Sequence, residues 1–191
     1  MASLLSVNTI AAVGSSISIS GGDLYVPGHV LQFVNTTYTT PTSVSIPASY
    51  NTYTDVTGVA VTITPKSVNS TIYIRARWTG ELNPTSDMTW QSVFGIKRNS
   101  TLIGLPPQLG SSTIGIHMPS ISHYASDNDS TAEHGFFDCW DAPASTSALT
   151  YQLTFTSTTG GTMYINRCVN GTTSGGYERG TSSITVMEIA G

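Results

Sequence analysis

The sequence predicts an all-β protein, a jelly-roll-like antiparallel β-sandwich of about eight strands, on three observations. Apolar side chains recur with a period of two in short stretches, as strands with one buried and one wet face require. Turn-forming residues punctuate those stretches at regular intervals. Thr, Val, Ile and Tyr, which suit a pleated surface, are abundant, and no window shows a sustained helical period.

The strands follow in order. Val59, Val61 and Ile63 share one face, opposite Ala60, Thr62 and Thr64. Ile72, Ile74, Ala76 and Trp78 alternate with Tyr73, Arg75 and Arg77. Trp90, Phe94 and Ile96 come next, then Phe136 and Trp140, then Leu149, Tyr151, Leu153 and Phe155. Met163 with Ile165 and Ile184 with Val186 complete the set. Thr64-Pro65, Asn99-Ser100, Gly104 to Pro107, Gly160-Gly161 and Gly175-Gly176 are the breakers. Trp78, Trp90 and Phe94 share faces with aliphatic residues and are expected in the core.

Residues 30–191 read as the sandwich and residues 1–29 as an N-terminal attachment or intertwining segment. Leu4 to Ile10 and Ser16 to Ser20 are short β-prone pieces separated by Gly14. Gly21-Gly22-Asp23, then Leu24-Tyr25-Val26 and Pro27-Gly28, lead into Val30. Leu4, Leu5, Val7, Ile10, Ile17, Ile19, Leu24 and Tyr25 are the candidate anchor side chains. They are too few to bury a face alone, so they must pack on the sandwich, on copies of the chain or on another protein.

Composition narrows the function. The 191 residues hold 7 Lys+Arg against 11 Asp+Glu, a net charge of −4, and only 9% are charged, against about 25% in an ordinary domain. Lys occurs only at positions 66 and 97, so no basic stripe exists for nucleic acid. No apolar run is long enough for a membrane-spanning helix, and no membrane insertion is expected. The stretch from Met1 to Val13 has no Lys or Arg, a poor secretory signal. A surface built from Ser, Thr and Gly loses little side-chain entropy and little charge solvation when packed against copies of itself.

Chemistry-bearing motifs are weak. His117 to His134 holds His117, His123, Asp127, Asp129, Glu133 and His134, but the spacing fits no established metal site. Asp127-Asn128-Asp129 starts like a calcium loop, yet Ala132 stands where the sharp turn needs Gly, and Asp138 where a bidentate Glu belongs. No metal or cofactor is therefore expected. Gly-x-Ser-x-Gly, His-Glu-x-x-His and phosphate-binding Gly loops are absent. Asp127, Asp129, Asp138 and Asp141 could supply a glycosidase carboxylate pair, but nothing selects one. A non-enzymatic protein is the expectation. Cys139 and Cys168 lie near the ends of two expected strands, where a bridge is geometrically possible; free buried thiols are the favoured reading, and the sequence leaves the pairing open. Tyr124, Trp140 and Tyr177 fall in or beside polar loops; with Asp127 and Asp129 they are the candidate glycan- or partner-facing residues, because rings stack on sugar CH groups while carboxylates accept hydroxyls.

The run from Gly28 to Ile74 resembles the opening of head domains in phage tail-fibre-like virion proteins, of the kind common in marine and freshwater phages, cyanophages included. The matching pieces are Gly28-His29-Val30-Leu31-Gln32, Thr54 to Gly58, Val61 to Ser67, and the ending Ser183-Ile184-Thr185-Val186-Met187-Glu188-Ile189. Leu5 to Ile10 also looks like the start of such proteins. The motifs are structural and carry over no active residues. The resemblance implies a homotrimeric virion protein, assembled in the bacterial cytoplasm. It would be either a capsid decoration or fibre protein, anchored on capsid or tail proteins by its N-terminal segment, or a receptor-binding tail-fibre head gripping host surface glycans. The chain is short beside long tail fibres, which favours decoration.

Overall fold

Nested pairing organises the chain: the first strand pairs with the last, the second with the last but one, and so on to a central hairpin. The computed structural model describes residues 26–82, 91–120, 130–171 and 177–191. Ten strands lie among them: β1 (Val30–Tyr38), β2 (Thr42–Ile46), β3 (Thr54–Ile63), β4 (Thr71–Leu82), β5 (Ser92–Arg98), β6 (Thr101–Ile103), β7 (Glu133–Asp141), β8 (Leu149–Ser157), β9 (Gly161–Ile165) and β10 (Ser182–Ile189). The antiparallel pairs are β1·β10, β2·β9, β3·β8, β4·β7 and β5·β6.

This wound ribbon closes into two antiparallel sheets. The larger runs β1-β10-β4-β9-β2, with β7 on the other edge of β4, and the smaller runs β3-β8-β5-β6. Without the β2·β9 pair, the sheets read β1-β10-β4-β7 and β3-β8-β5-β6, the jelly-roll arrangement. The fold class read from the sequence therefore holds, with two more strands. β1, β2 and β6 are not among the alternating stretches read from the sequence; β2 lies between Pro41 and Pro47, and β6 has three residues. No helix occurs among the described residues, so none there is long and apolar enough to cross a membrane.

The core lies between the sheets. Ile72, Ile74, Ala76 and Trp78 of β4 and Ile184 and Val186 of β10 face Val59, Val61 and Ile63 of β3 and the alternating Tyr151, Leu153 and Phe155 of β8. Phe94 is a central ring, with centroids 5.5 Å from Trp78, 4.9 Å from Phe155 and 5.8 Å from Phe137. Each such fully buried side chain is worth about 1.5–3 kcal/mol over its exposed state. The buried Trp78 and Phe94 were expected; Trp90 lies outside the described residues.

One parity reading fails. Phe136 reads with the alternating apolar positions of its strand, yet it is 46% exposed; Trp140, also a candidate partner-facing residue, is 59% exposed. Gly135, Phe137 and Cys139 are the inward residues of β7, because its register on β4 sets Phe136 opposite Arg77 and Trp140 opposite Tyr73. Of residues 1–29, only Val26 to His29 are described. The Gly28 N–H donates to the Ala190 carbonyl at 2.7 Å, and the Ala190 N–H returns to His29 at 2.8 Å, so this lead-in continues the β1·β10 ladder. The candidate anchor side chains, Leu4 to Tyr25, lie outside the described residues.

Candidate functional site

The outward face of the larger sheet collects the side chains that neither the core nor the turns require. Cross-strand register aligns Phe33 of β1, Met187 of β10, Tyr73 of β4 and Trp140 of β7 in one row. The next row is Asn35, Thr185, Arg75 and Asp138, and the third is Thr37, Ser183, Arg77 and Phe136. Strand alternation puts all twelve on one face, since residues two apart point the same way.

Contacts within this face are specific. The Tyr73 and Trp140 rings lie 4.8 Å apart, tilted by 54°. The Tyr73 hydroxyl donates to Asp138 Oδ2 at 2.7 Å, and that hydrogen bond, before burial, pushes the Tyr73 phenol up from its ordinary value. The Arg75 guanidinium sits 4.4 Å over the Phe136 ring, a cation–π contact. Arg77 Nη2 donates to Thr181 Oγ1 at 2.8 Å. Arg75, Arg77, Phe136, Ser183 and Thr185 surround a concavity of about 300 Å³.

The two arginines stand apart from the other cations. Lys97 pairs with Asp55 at 2.7 Å, and Arg98 Nη1 meets both carboxylate oxygens of Asp141 at 2.8 and 2.9 Å. Arg167 donates to the carbonyls of Cys168 and Val169, and Arg179 to that of Gly171. Neither Arg75 nor Arg77 meets a carboxylate among the described residues.

Of the residues singled out from the sequence, Trp140 is on this face. It stands next to the end of β7, beside the β7–β8 connection. Tyr177 lies half-buried in the β9–β10 connection, with no ring contact to Trp140 among the described residues. Tyr124, Asp127 and Asp129 lie outside the described residues. Asp138 and Asp141 do not flank one cleft: Asp138 faces outward on Tyr73, whereas Asp141 is held inward by Arg98 and by the Tyr151 hydroxyl at 2.7 Å. No three His, Cys, Asp or Glu converge as a metal site among the described residues.

A second, apolar groove of about 400 Å³ lies beneath the 106–118 loop, between Val93, Leu109, Ile114 and Met118. Its one titratable side chain is His117, stacked on Phe137 at 5.5 Å; burial first, and His134 second, lower its pKa. Cys139 and Cys168 are free thiols, and burial first, with Asp141 and Asp138, pushes Cys139 up to about 12, which leaves it protonated and inert at neutral pH.

Phe33, Met187, Tyr73, Arg75, Arg77 and Asp138 were missed as a group. Tyr73, Arg75 and Arg77 were legible as the outward face of their strand, but their neighbours come from strands far away in sequence. No protein-family model matches the chain, and no curated protein is significantly similar to it.

Proposed function

We propose that the chain is a non-enzymatic bacteriophage virion structural protein, a homotrimer attached to capsid or tail proteins by its N-terminal segment. The observation that supports this most is the apolar surface where that segment joins the sandwich. Val26, Val30 and Phe33 are 43%, 51% and 59% exposed. Val30 is paired with Ile189 and Phe33 with Met187, both only half-buried. Exposed apolar side chains gathered at one place mark contact surfaces, and this place continues directly into the β-prone residues 1–25. Contact between copies there would cover both the strip and the segment.

Light scattering on the full chain tests the reading. A trimer is expected, reduced to monomers by Val30→Asp with Phe33→Asp at an unchanged melting midpoint. A monomeric wild-type protein would refute the assembly, and a trimer that survives both substitutions would refute this surface. The role of a receptor-binding head gains support from the opposite, β4/β7 half of the same face, where Trp140 and the two arginines stand open.

A further inference from the structure

The β4/β7 half of the large sheet's outer face is, we infer, a binding site for a carboxylated sugar unit of a surface polysaccharide, a proposal that rests on the receptor-binding reading. Arg75 and Arg77 are consecutive outward residues of one strand, about 6.7 Å apart by strand geometry. Both residues border the same concavity, and among the described residues neither forms an ion pair with a carboxylate, Asp138 opposite Arg75 being engaged by the Tyr73 hydroxyl. In a chain with a net charge of −4 and only 7 basic residues, two arginines at one concavity with no ion pair among the described residues favour an anion. A planar guanidinium fork matches a carboxylate in shape as well as charge.

The rest of the surround fits a sugar better than a peptide. Ser183 and Thr185 place hydroxyls on the wall opposite Phe136, suited to exchanging hydrogen bonds with ring hydroxyls. Trp140, 59% exposed, keeps a flat ring open one row away, and Tyr73 and the Asp138 carboxylate hold its neighbourhood in place. Sugar CH groups stack on such a ring, so one acidic unit at the arginines and its neighbour on Trp140 would span the site. Arg75 is already oriented by its stacking on Phe136, so little order is lost on binding.

The test uses the full chain against immobilised uronic-acid and sialic-acid oligosaccharides, each beside its neutral, carboxyl-reduced counterpart. Binding of a carboxylated member over its neutral counterpart is expected, weakening as salt rises. Arg75→Gln with Arg77→Gln, and separately Trp140→Ala, should each lower affinity by about tenfold or more at an unchanged melting midpoint. These side chains face solvent, so folding should survive; Arg77→Lys tests the fork, with partial binding expected. Equal binding of acidic and neutral forms, or full binding by the double arginine variant, would overturn the proposal. So would equal binding of an oligoglutamate peptide, or self-association lost on Trp140→Ala. Incorporation into particles separates the two ideas: a wild-type chain that is incorporated but binds no carboxylated sugar would sink the site and leave the virion role standing.

Discussion

Asp141 ties the two sheets together at the level of single residues. It belongs to β7 in the larger sheet, yet its partners, Arg98 and Tyr151, come from β5 and β8 in the smaller one. Burial first, and the hydrogen bond to Asp141 second, push the Tyr151 phenol far up, so it remains a donor at all ordinary pH. With the Asp141 side chain 9% exposed and Arg98 27%, removing the carboxylate leaves a partly buried cation and a buried hydroxyl without their acceptor. Asp141→Ala should therefore cost about 2–3 kcal/mol in urea unfolding. A loss below about 0.5 kcal/mol would show that solvent replaces the network without penalty. Gly58 is fixed by a different constraint: its φ is +78°, within the irregular register of β3 against β8, and the Tyr38 ring occupies the space a Cβ would take.

Among the elements, β10 is the hinge of the larger sheet, paired with β1 on one side and β4 on the other. Its buried Glu188 joins three segments: it accepts from Gln32 Nε2 at 2.6 Å and from the backbone N–H groups of Lys66 and Ser67 at 2.7 and 3.3 Å. Burial pushes its pKa up, but these donors, with the Ser70 hydroxyl alongside, outweigh burial and hold it below the usual 4.5. A carboxylate lowered in the folded state stabilises the protein above its unfolded pKa, and that contribution is lost as pH falls through the folded value. His117, lowered from 6.5, acts in the same direction, since acid charges the unfolded imidazole first. Stability measured from pH 7 to 3 should therefore decline in two stages. Glu188→Gln should cost about 1–3 kcal/mol at neutral pH and flatten only the stage below pH 4.5. An unchanged acid limb in that variant would remove Glu188 from the account.

At the scale of the whole molecule, five nested pairings make most contacts non-local, and both ends of the described chain meet at one edge, where Gly28 bonds Ala190. The sandwich thus closes from residue 26 onward. Deleting residues 1–25 should leave the melting midpoint unchanged while abolishing incorporation into particles. Wild-type incorporation by the truncated chain would refute the anchor. The two halves of the outer face would then have separate work: the β1/β10 half beside the anchor for assembly, the β4/β7 half for ligand.

The sequence alone determined the sheet class, the alternation of β4 and β8 and the burial of Trp78 and Phe94, because a half-buried strand writes its faces into adjacent residues. It also carried the low charge and the apolar first segment. It misassigned Phe136, whose direction depends on the register of β7 against β4, and it left Arg75, Arg77 and Trp140 unconnected although each was visible. Register, strand order and the gathering of Phe33, Met187, Tyr73 and Trp140 into one row were decided only by the tertiary structure. Such a row is assembled from strands far apart along the chain, and no local pattern records which of them become neighbours.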